Sequence, residues 1–161
     1  MRVWRISRRE HRSFDGAGGR IANARWNRRG APVVYTAGSL ALAALEFFVH
    51  LPPDLNLKGL VAVSADIPES VRRETIEIFD LPAEWRDIRH VDRLRDLGMD
   101  WLAAARTAVL VVPSAVIPQD RNYLLNPAHP HFTRIRINPP EAFEFDYRMW
   151  KSRQAVRGPH D

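Results

Sequence analysis

A nearly unbroken apolar stretch that contains a single carboxylate constrains this chain more than any other feature. Every residue from 40 to 49 is apolar except Glu46. A stretch of that length with no polar face predicts a buried α-helix, capped by Ser39 and ending near His50, before Pro52. Because an ionised carboxylate is costly to bury, Glu46 needs a partner or a function. The alternatives to a functional role are a pairing with His50, one helical turn later, or a place at the exposed edge of the helix.

The composition is that of a soluble globular domain. The chain has 161 residues, of which 45% are hydrophobic and 27% charged, and this is enough for one domain with a substantial core. No apolar run approaches the roughly 20 residues that a membrane span requires. The first residues are too charged for a signal peptide, and there is no cysteine. We therefore expect a cytoplasmic protein without disulfides or membrane contact.

Basic residues outnumber acidic ones by 24 to 19, but the two signs are interspersed along the chain. The densest group of arginines lies between Arg8 and Arg29. A solvated basic surface is the ordinary explanation of this excess, and a site for an anion or a nucleotide is the alternative. Binding of nucleic acid through this arginine-rich segment also stays open.

Short strands and a few helices are predicted along the rest of the chain. Runs of β-branched and aromatic residues predict strands at residues 3–6, 32–37, 59–67, 107–113, 122–126, 132–137 and 143–146. The spacing of apolar residues predicts an amphipathic helix at residues 92–106, with Trp101 in the core. Residues 7–29, around a glycine cluster at 16–19, predict a flexible loop, residues 68–79 a charged helical or irregular connection, and residues 81–85 and 127–131 turns.

This order of elements indicates an α+β fold. We expect a single compact domain of short, mostly antiparallel strands over residues 1–150, followed by a polar C-terminal tail at residues 151–161. The glycine cluster lacks the strand before it and the helix after it that a dinucleotide-binding or P-loop motif has, so a Rossmann fold is not predicted.

Two familiar kinds of catalytic site lack their motifs in this sequence. His129 and His131 lie two residues apart, but no motif joins them to Glu46 or His50 as ligands of a metal. Ser114 directly follows the apolar strand at residues 107–113, yet it has no surrounding Gly-x-Ser-x-Gly turn. We predict neither a metal site nor a covalent nucleophile.

The remaining polar residues suit the cleavage of a glycosidic bond. Arg5 lies on the face of the first strand opposite Trp4, where it is placed to reach a cleft. Arginines bind diphosphates bidentately, an aromatic ring such as that of Tyr35 stacks on a heteroaromatic ring, and a carboxylate such as that of Glu46 stabilises a cationic sugar. Together these groups suit a dinucleotide substrate such as NAD.

These residues fall within blocks of sequence that resemble the RES-domain family, the toxin half of Xre–RES toxin–antitoxin systems. The blocks are Trp4-Arg5-Ile6, Arg25-Trp26-Asn27 followed by Gly30, residues 32–37, residues 41–43 with Glu46 and His50, residues 112–115, and residues 122–127 with His129 and Phe132. They span residues 3 to 146, and their order and spacing make the resemblance more specific than any one short motif.

The resemblance implies a fold like that of ADP-ribosyltransferase toxins, with NAD bound in a central cleft as the substrate and no prosthetic group or metal. Members of the family degrade NAD by hydrolysis or phosphorolysis, or ADP-ribosylate a cellular protein, and growth arrest follows in either case. The functional residues of the family fall on Arg5, Arg25, Tyr35, Glu46 and Ser114. All five are expected to bind NAD, and Arg25, Tyr35 and Glu46 are expected to be catalytic.

The resemblance also implies a role for each residue. Arg5 and Arg25 would hold phosphates or ribose, and Tyr35 would pack against the nicotinamide ring. Glu46 would bind ribose hydroxyls and stabilise positive charge as nicotinamide leaves, and Ser114 would position the carboxamide or the arginines. The arginines that compete with Arg25 for the phosphate are Arg20, Arg28 and Arg29.

The partners that the resemblance implies are a cognate Xre-type antitoxin, which would carry any DNA contact, and, for the ADP-ribosylation alternative, a protein target. A homodimer within a larger toxin–antitoxin assembly is expected. Two other readings of the sequence stay open: a basic nucleic-acid-binding domain or interferase, and a non-catalytic scaffold in which Glu46 simply pairs with an arginine.

Overall fold

One mixed β-sheet organises the computed structural model, which describes residues 1–51 and 57–150 with the side chain of Trp150 excepted. The strands are β1 (Arg2–Arg8), β2 (Val34–Ala37), β3 (Leu60–Asp66), β4 (Arg73–Thr75), β5 (Val109–Pro113), β6 (Arg121–Leu125), β7 (Arg136–Ile137) and β8 (Glu141–Ala142). Their order in the sheet is β4-β5-β6-β2-β1-β3-β7, and β8 also pairs with β3. Only β4 and β5 run parallel, which confirms the predicted α+β fold of mostly antiparallel strands. The predicted tail lies outside the described residues.

Within residues 1–51 and 57–150, three α-helices pack around the sheet. They are α1 (Ala17–Ile21), α2 (Leu40–Val49) and α3 (Asp92–Ala104), and the short 3-10 helices are Arg9–His11, Ile78–Asp80, Ile88–His90, Pro130–Arg134 and Tyr147–Trp150. On one face of the sheet, α2 covers β1 and β3 through Leu42, while α3 packs near β5 and β6 through Leu94 and Trp101. The opposite face carries Val3, Val34 and Val63 in a third buried cluster. None of the helices in the described ranges combines the length and the apolar character that a membrane crossing needs.

The middle of the sheet opens into a gap. β1 pairs with β3 along its whole length, from Arg2 to Arg8, and β2 pairs with β6 from Val34 to Ala37. In contrast, β1 and β2 share the single pair Trp4 and Ala37, and then part. The gap therefore begins at Arg5 on one strand and at Thr36 on the other, and Tyr35 follows one residue further along β2.

Several predicted elements are confirmed, because their sequence patterns are strong. The strands predicted at 59–67 and 107–113 are β3 and β5, and the helix predicted at 92–106 is α3. Trp101 lies in the core with 3% of its surface exposed. Ser39 caps α2, since its Oγ accepts a hydrogen bond of 3.1 Å from the Leu42 N–H, and the helix ends before His50.

The prediction that α2 is buried on all sides was wrong. Only Leu42 and Ala43 are buried, and Val49 is half exposed. One side of the helix packs on the sheet, while the side that carries Glu46 borders an open cleft. The apolar residues of α2 thus line two different surfaces, and a hydrophobic pattern does not distinguish a packed surface from the wall of a cleft.

Two connecting segments, residues 7–29 and 68–79, contain more regular secondary structure than the sequence predicted. Residues 7–29 hold α1 and a 3-10 helix instead of a flexible loop, and Gly16, with φ +73°, begins α1 where a Cβ would overlap the backbone of Pro32. Residues 68–79 contain β4, a short edge strand beside β5 that the charged sequence conceals.

Two predicted strands near the C-terminal end were wrong. Residues 132–137 form a strand only at β7, because Pro130 begins a 3-10 helix that continues to Arg134. Residues 143–146 form no strand, since Phe145 packs on Phe47 of α2 with ring centroids 6.2 Å apart, and the neighbouring pairing falls earlier, at β8.

Candidate active site

A cleft of about 1120 Å³ opens where β1 and β2 part. Its walls come from both strands, from α2, and from three connecting segments at residues 23–26, 86–88 and 113–116. Four of the five residues that the sequence singles out line it, namely Arg5, Arg25, Tyr35 and Glu46. The fifth, Ser114, is fully buried directly behind Glu46. The fold thus brings together all five, which are distant in sequence.

Glu46 is held by one of its two oxygens. Oε1 accepts a hydrogen bond of 2.8 Å from Ser114 Oγ and one of 2.5 Å from Asn122 Nδ2. Within the described part of the chain no hydrogen bond reaches Oε2, and Glu46 lines the cleft. The carboxylate is therefore fixed in orientation with one acceptor atom left for a ligand.

The orientation of Ser114 follows from its place at the end of β5. Its Oγ accepts hydrogen bonds from the N–H groups of Val116 (3.1 Å) and Ile117 (3.0 Å), so the hydroxyl proton points at Glu46. The resemblance implied that Ser114 positions a carboxamide or the arginines; the structure places it on the carboxylate. A buried hydroxyl with this set of bonds acts as a support for Glu46.

Asn122 is a site residue that sequence reasoning missed. It lies on β6, opposite Ala37 of β2 and Val112 of β5, and its side chain faces the cleft. Its Nδ2 donates to Glu46, while its Oδ1 is buried and has no partner among the described residues. The residue stands in a motif of the family resemblance, but only the strand register shows that it meets Glu46.

Tyr35 lines the cleft, and two hydrogen bonds already occupy its hydroxyl group. The hydroxyl donates to Asn27 Oδ1 (2.8 Å) and accepts from the Trp26 N–H (3.1 Å). Burial raises the pKa of Tyr35 well above its usual value. The hydroxyl therefore stays protonated and bonded, and Tyr35 is unsuited to general acid or base work in this arrangement.

Asn27, which sequence reasoning also missed, ties the arginine-rich segment together. It is fully buried, and its Nδ2 lies within hydrogen-bonding distance of the carbonyls of Gly19, Ala22 and Arg28. Its Oδ1 binds Tyr35. One side chain thus fixes the segment that follows α1 against the strand that forms the floor of the cleft.

Arg25 and Arg86 anchor the opposite wall of the cleft through backbone carbonyls. Arg25 donates from Nη1 to Trp85 O (2.7 Å) and from Nη2 to Arg86 O (3.1 Å), and burial lowers its pKa. Arg86 donates from Nε to Ala115 O (3.0 Å). Neither guanidinium forms a salt bridge in the described residues, and both arginines line the cleft, where the carboxylates of Glu46 and Asp87 act on Arg25 from a longer distance.

Arg5 borders the gap in the sheet, and its guanidinium lies on the face that carries Val63 and Phe14. Its Nη1 donates to Ser13 O (2.8 Å), and its guanidinium lies 6.0 Å from the centre of the Phe14 ring. Burial lowers the pKa of Arg5, with Asp15 acting in the opposite sense. The arginine remains charged and contributes to the positive potential of the cleft.

The arginines that compete with Arg25 lie elsewhere. Arg28 forms salt bridges with Asp96 (2.7 Å) and Asp92 (3.6 Å) on α3. Arg20 lines a separate cavity, together with Phe14 and Phe132. Arg29 is exposed and does not line the cleft. Of these four arginines, Arg25 alone is in position to contact a ligand there.

No group of three or more metal-binding side chains occurs in the described ranges. His129 is buried in the turn before the 3-10 helix at Pro130–Arg134, where its Nδ1 accepts from the His131 N–H (3.0 Å). Neither histidine lines the cleft. The site is built from arginine, amide, hydroxyl and carboxylate groups.

The fold and the cleft define the structural class. The chain resembles one chain of the crystal structure of the M. tuberculosis MbcT–MbcA toxin–antitoxin complex, with a TM-score of 0.70 at 12% sequence identity over 87% of this chain and 82% of that one. The chain thus shares its fold with a chain of that complex, in agreement with the single compact α+β domain that the sequence predicted.

The family follows from the sequence comparisons. The RES domain model matches residues 2–147. A "Toxin Res" from Photorhabdus laumondii is 32% identical over 96% of this chain and all of its own length, and one from Pseudomonas putida is 35% identical over 93% and all of its own length. A "Prs ADP-ribosylating toxin" from Sphingobium sp. is 37% identical over 91% of this chain and 94% of its own. The chain belongs to the RES domain family.

Proposed function

We propose that this chain is the toxin of a toxin–antitoxin system and that it consumes NAD by cleaving the bond between nicotinamide and ribose. The observation that carries the proposal is the half-satisfied carboxylate of Glu46, fixed at Oε1 by Ser114 and Asn122 with Oε2 left to an arginine-lined cleft. The names of relatives that match over nearly their whole length support the toxin part of the proposal.

The cleft suits NAD in size and in charge. Its volume of about 1120 Å³ is slightly above the range of roughly 300–1,000 Å³ that is usual for small-molecule sites, so it can hold a ligand as large as a dinucleotide. Arg5, Arg25 and Arg86 provide positive charge for a diphosphate, and the aromatic ring of Tyr35 provides a flat surface for nicotinamide. The lining contains two carboxylates, those of Glu46 and Asp87. Asp87 forms a salt bridge with Arg89, whereas no arginine in the described residues forms one with Glu46.

The proposed step breaks the bond between C1′ of the ribose and the ring nitrogen of nicotinamide. The nitrogen keeps the bonding electrons, so nicotinamide leaves as a neutral molecule and the ribose becomes an oxocarbenium-like cation. Glu46 Oε2 accepts a hydrogen bond from a ribose hydroxyl, and its negative charge stabilises the developing positive charge. The acceptor then forms the new bond at C1′ and gives up its proton. Ser114 takes no part in bond making, because its hydroxyl is held against Glu46.

The acceptor distinguishes two activities of the same cleft. Water or phosphate as the acceptor gives NAD hydrolysis or phosphorolysis, and this is the activity that we favour. A protein side chain as the acceptor gives ADP-ribosylation, and the name of the Sphingobium relative, which is 37% identical, favours that second candidate. Both begin with release of nicotinamide, and both lead to growth arrest.

A toxin of this kind has to be silenced, and we propose a cognate Xre-type antitoxin that blocks the cleft in the cytoplasm. The appearance of this fold in a toxin–antitoxin complex supports such a partner. A homodimer inside the larger assembly is part of the same proposal, with DNA contact left to the antitoxin.

The experiment is to incubate the purified chain with NAD alone, with added phosphate, and with a cell extract, and to follow nicotinamide by NMR. Glu46→Ala serves as the control, with circular dichroism to confirm that it folds. Release by the wild type only would support the proposal, and dependence on phosphate or extract would identify the acceptor. If the folded wild type neither binds NAD in calorimetry nor releases nicotinamide, the proposal is wrong, and nucleic-acid binding by the arginine-rich segment is the next hypothesis to test.

A further inference from the structure

Arg86 lines the cleft but belongs to none of the sequence blocks that carry the family resemblance. Its Nε donates to Ala115 O, one residue after the Ser114 that holds Glu46. Its two Nη atoms make no hydrogen bond within the described part of the chain, so four N–H donors remain on a guanidinium whose orientation is fixed. The anchoring bond thus aims a free charge at the region beside Glu46.

Positive charge exceeds negative charge in the part of the cleft lining that contains Arg25 and Arg86. Arg25 and Arg86 are both anchored by neutral carbonyls, and each therefore keeps its full positive charge. The nearby carboxylate of Asp87 is occupied by Arg89, which approaches both of its oxygens. Burial lowers the pKa of Arg25, Glu46 acts in the opposite sense, and repulsion from Arg86 adds to the lowering. Two neighbouring guanidiniums that no carboxylate binds directly in the described residues form a site for an anion.

The chemistry of the substrate identifies the anion. In NAD, the phosphate on C5′ of the nicotinamide ribose is separated from the ribose hydroxyls by the sugar ring and one methylene group. A ribose bound at Glu46 Oε2 therefore carries its phosphate close to the residues that flank the Glu46 support. Arg86, anchored next to Ser114, flanks that support directly.

We propose that Arg86 and Arg25 form a phosphate subsite next to the scissile bond, so that the chain acts on phosphorylated nicotinamide nucleosides and discriminates against nicotinamide riboside. This inference rests on the proposed NAD cleavage and narrows its substrate class. NAD and nicotinamide mononucleotide both carry the phosphate in question, whereas the riboside lacks it.

The test compares substrates as well as variants. Nicotinamide release from NAD and from nicotinamide riboside is measured for the wild type, Arg86→Gln, Arg86→Lys and the control Arg93→Gln, an exposed arginine on α3 that does not line the cleft. With NAD, Arg86→Gln should lower kcat/KM about tenfold, mainly through KM, since a charge-assisted hydrogen bond is lost. Arg86→Lys should recover part of the loss, and Arg93→Gln should match the wild type.

With nicotinamide riboside, whose cleavage by the wild type should be much slower, Arg86→Gln should change nothing further. An equal loss on both substrates would show that Arg86 acts through the shape of the cleft, and no loss on NAD would show that it does not bind phosphate; either result overturns the inference. Calorimetry with ADP-ribose gives a readout without cleavage. If the wild type binds ADP-ribose and Arg86→Gln binds it about tenfold more weakly, the phosphate subsite is supported. This result would hold even if no nicotinamide is released and the proposed cleavage of NAD is wrong.

Discussion

Replacing Glu46 by glutamine separates the structural role of this residue from its chemical one. The two groups that hold Oε1, Ser114 Oγ and Asn122 Nδ2, are both donors. The amide of a glutamine must therefore turn its oxygen toward them and its NH2 group toward the cleft. The substitution keeps the supporting bonds, but it converts the cleft-facing atom from a charged acceptor into a neutral donor.

The expected effects on stability and on activity differ in size. The two supporting bonds weaken, since bonds to a charged group contribute about 1.5–3 kcal/mol and neutral ones about 0.5–1.5 kcal/mol. Removing a half-buried charge offsets this loss, so the free energy of unfolding should change by no more than about 1 kcal/mol. The transition state, in contrast, should lose about 3–4 kcal/mol of stabilisation, a fall in kcat of roughly 10²–10³.

The assay pairs nicotinamide release with urea unfolding, both on the same preparations of wild type and Glu46→Gln. A folded Glu46→Gln protein that keeps full activity would refute the role of the carboxylate in cleavage. A variant that loses more than about 3 kcal/mol of stability would refute the hydrogen-bond argument instead, because an isosteric acceptor would then fail to replace Oε1.

Three further predictions follow from the same geometry. Asn122→Asp replaces a hydrogen-bond donor to Glu46 by a second carboxylate that repels it, so nicotinamide release should fall; a folded variant with wild-type activity would contradict this. Tyr35→Phe leaves the Trp26 N–H and Asn27 Oδ1 without their hydrogen-bond partner and should lower the free energy of unfolding in urea by about 1–3 kcal/mol. It should leave the alkaline limb of the pH–rate profile unchanged, because the raised pKa of Tyr35 keeps its hydroxyl protonated throughout. Gly98 of α3 packs against the backbone of Trp26, so the Cβ of Gly98→Ala would overlap the Trp26 carbonyl oxygen and the free energy of unfolding should fall by about 1–3 kcal/mol. The matched control is Gly18→Ala, whose Cβ meets nothing within 4 Å and which should raise the melting temperature slightly or leave it unchanged.

Sequence reasoning located the candidate residues because each is locally unusual. Glu46 interrupts an apolar helix, Ser114 ends an apolar strand, and Tyr35 lies in a β-branched strand, and such contrasts are visible without a structure. The structure gathers them at one cleft. Their catalytic and binding roles remain predictions that the variants described above would test.

The supporting residues could not be predicted in the same way. Asn122 and Arg86 have ordinary surroundings in the sequence, and their importance depends on which strand lies beside which. Asn122 meets Glu46 only because β6 is paired with β2, and Arg86 meets the cleft only because its Nε binds Ala115 O. The short elements that were wrongly predicted, such as residues 132–137, likewise depend on local turns and edge pairings that period-2 patterns do not resolve.

The hydrogen bonds on Glu46 also determine when during synthesis the chain could become active. Ser114 and Asn122 lie 68 and 76 residues after Glu46. A ribosome that has made α2 and β3 has therefore produced the carboxylate without either group that orients it, and a chain cut short by a frameshift or stop codon within β5 or earlier has the same defect. Under the proposed function, fragments that lack Ser114 and Asn122 should be harmless to the cell that makes them, and an antitoxin would have to bind only finished chains.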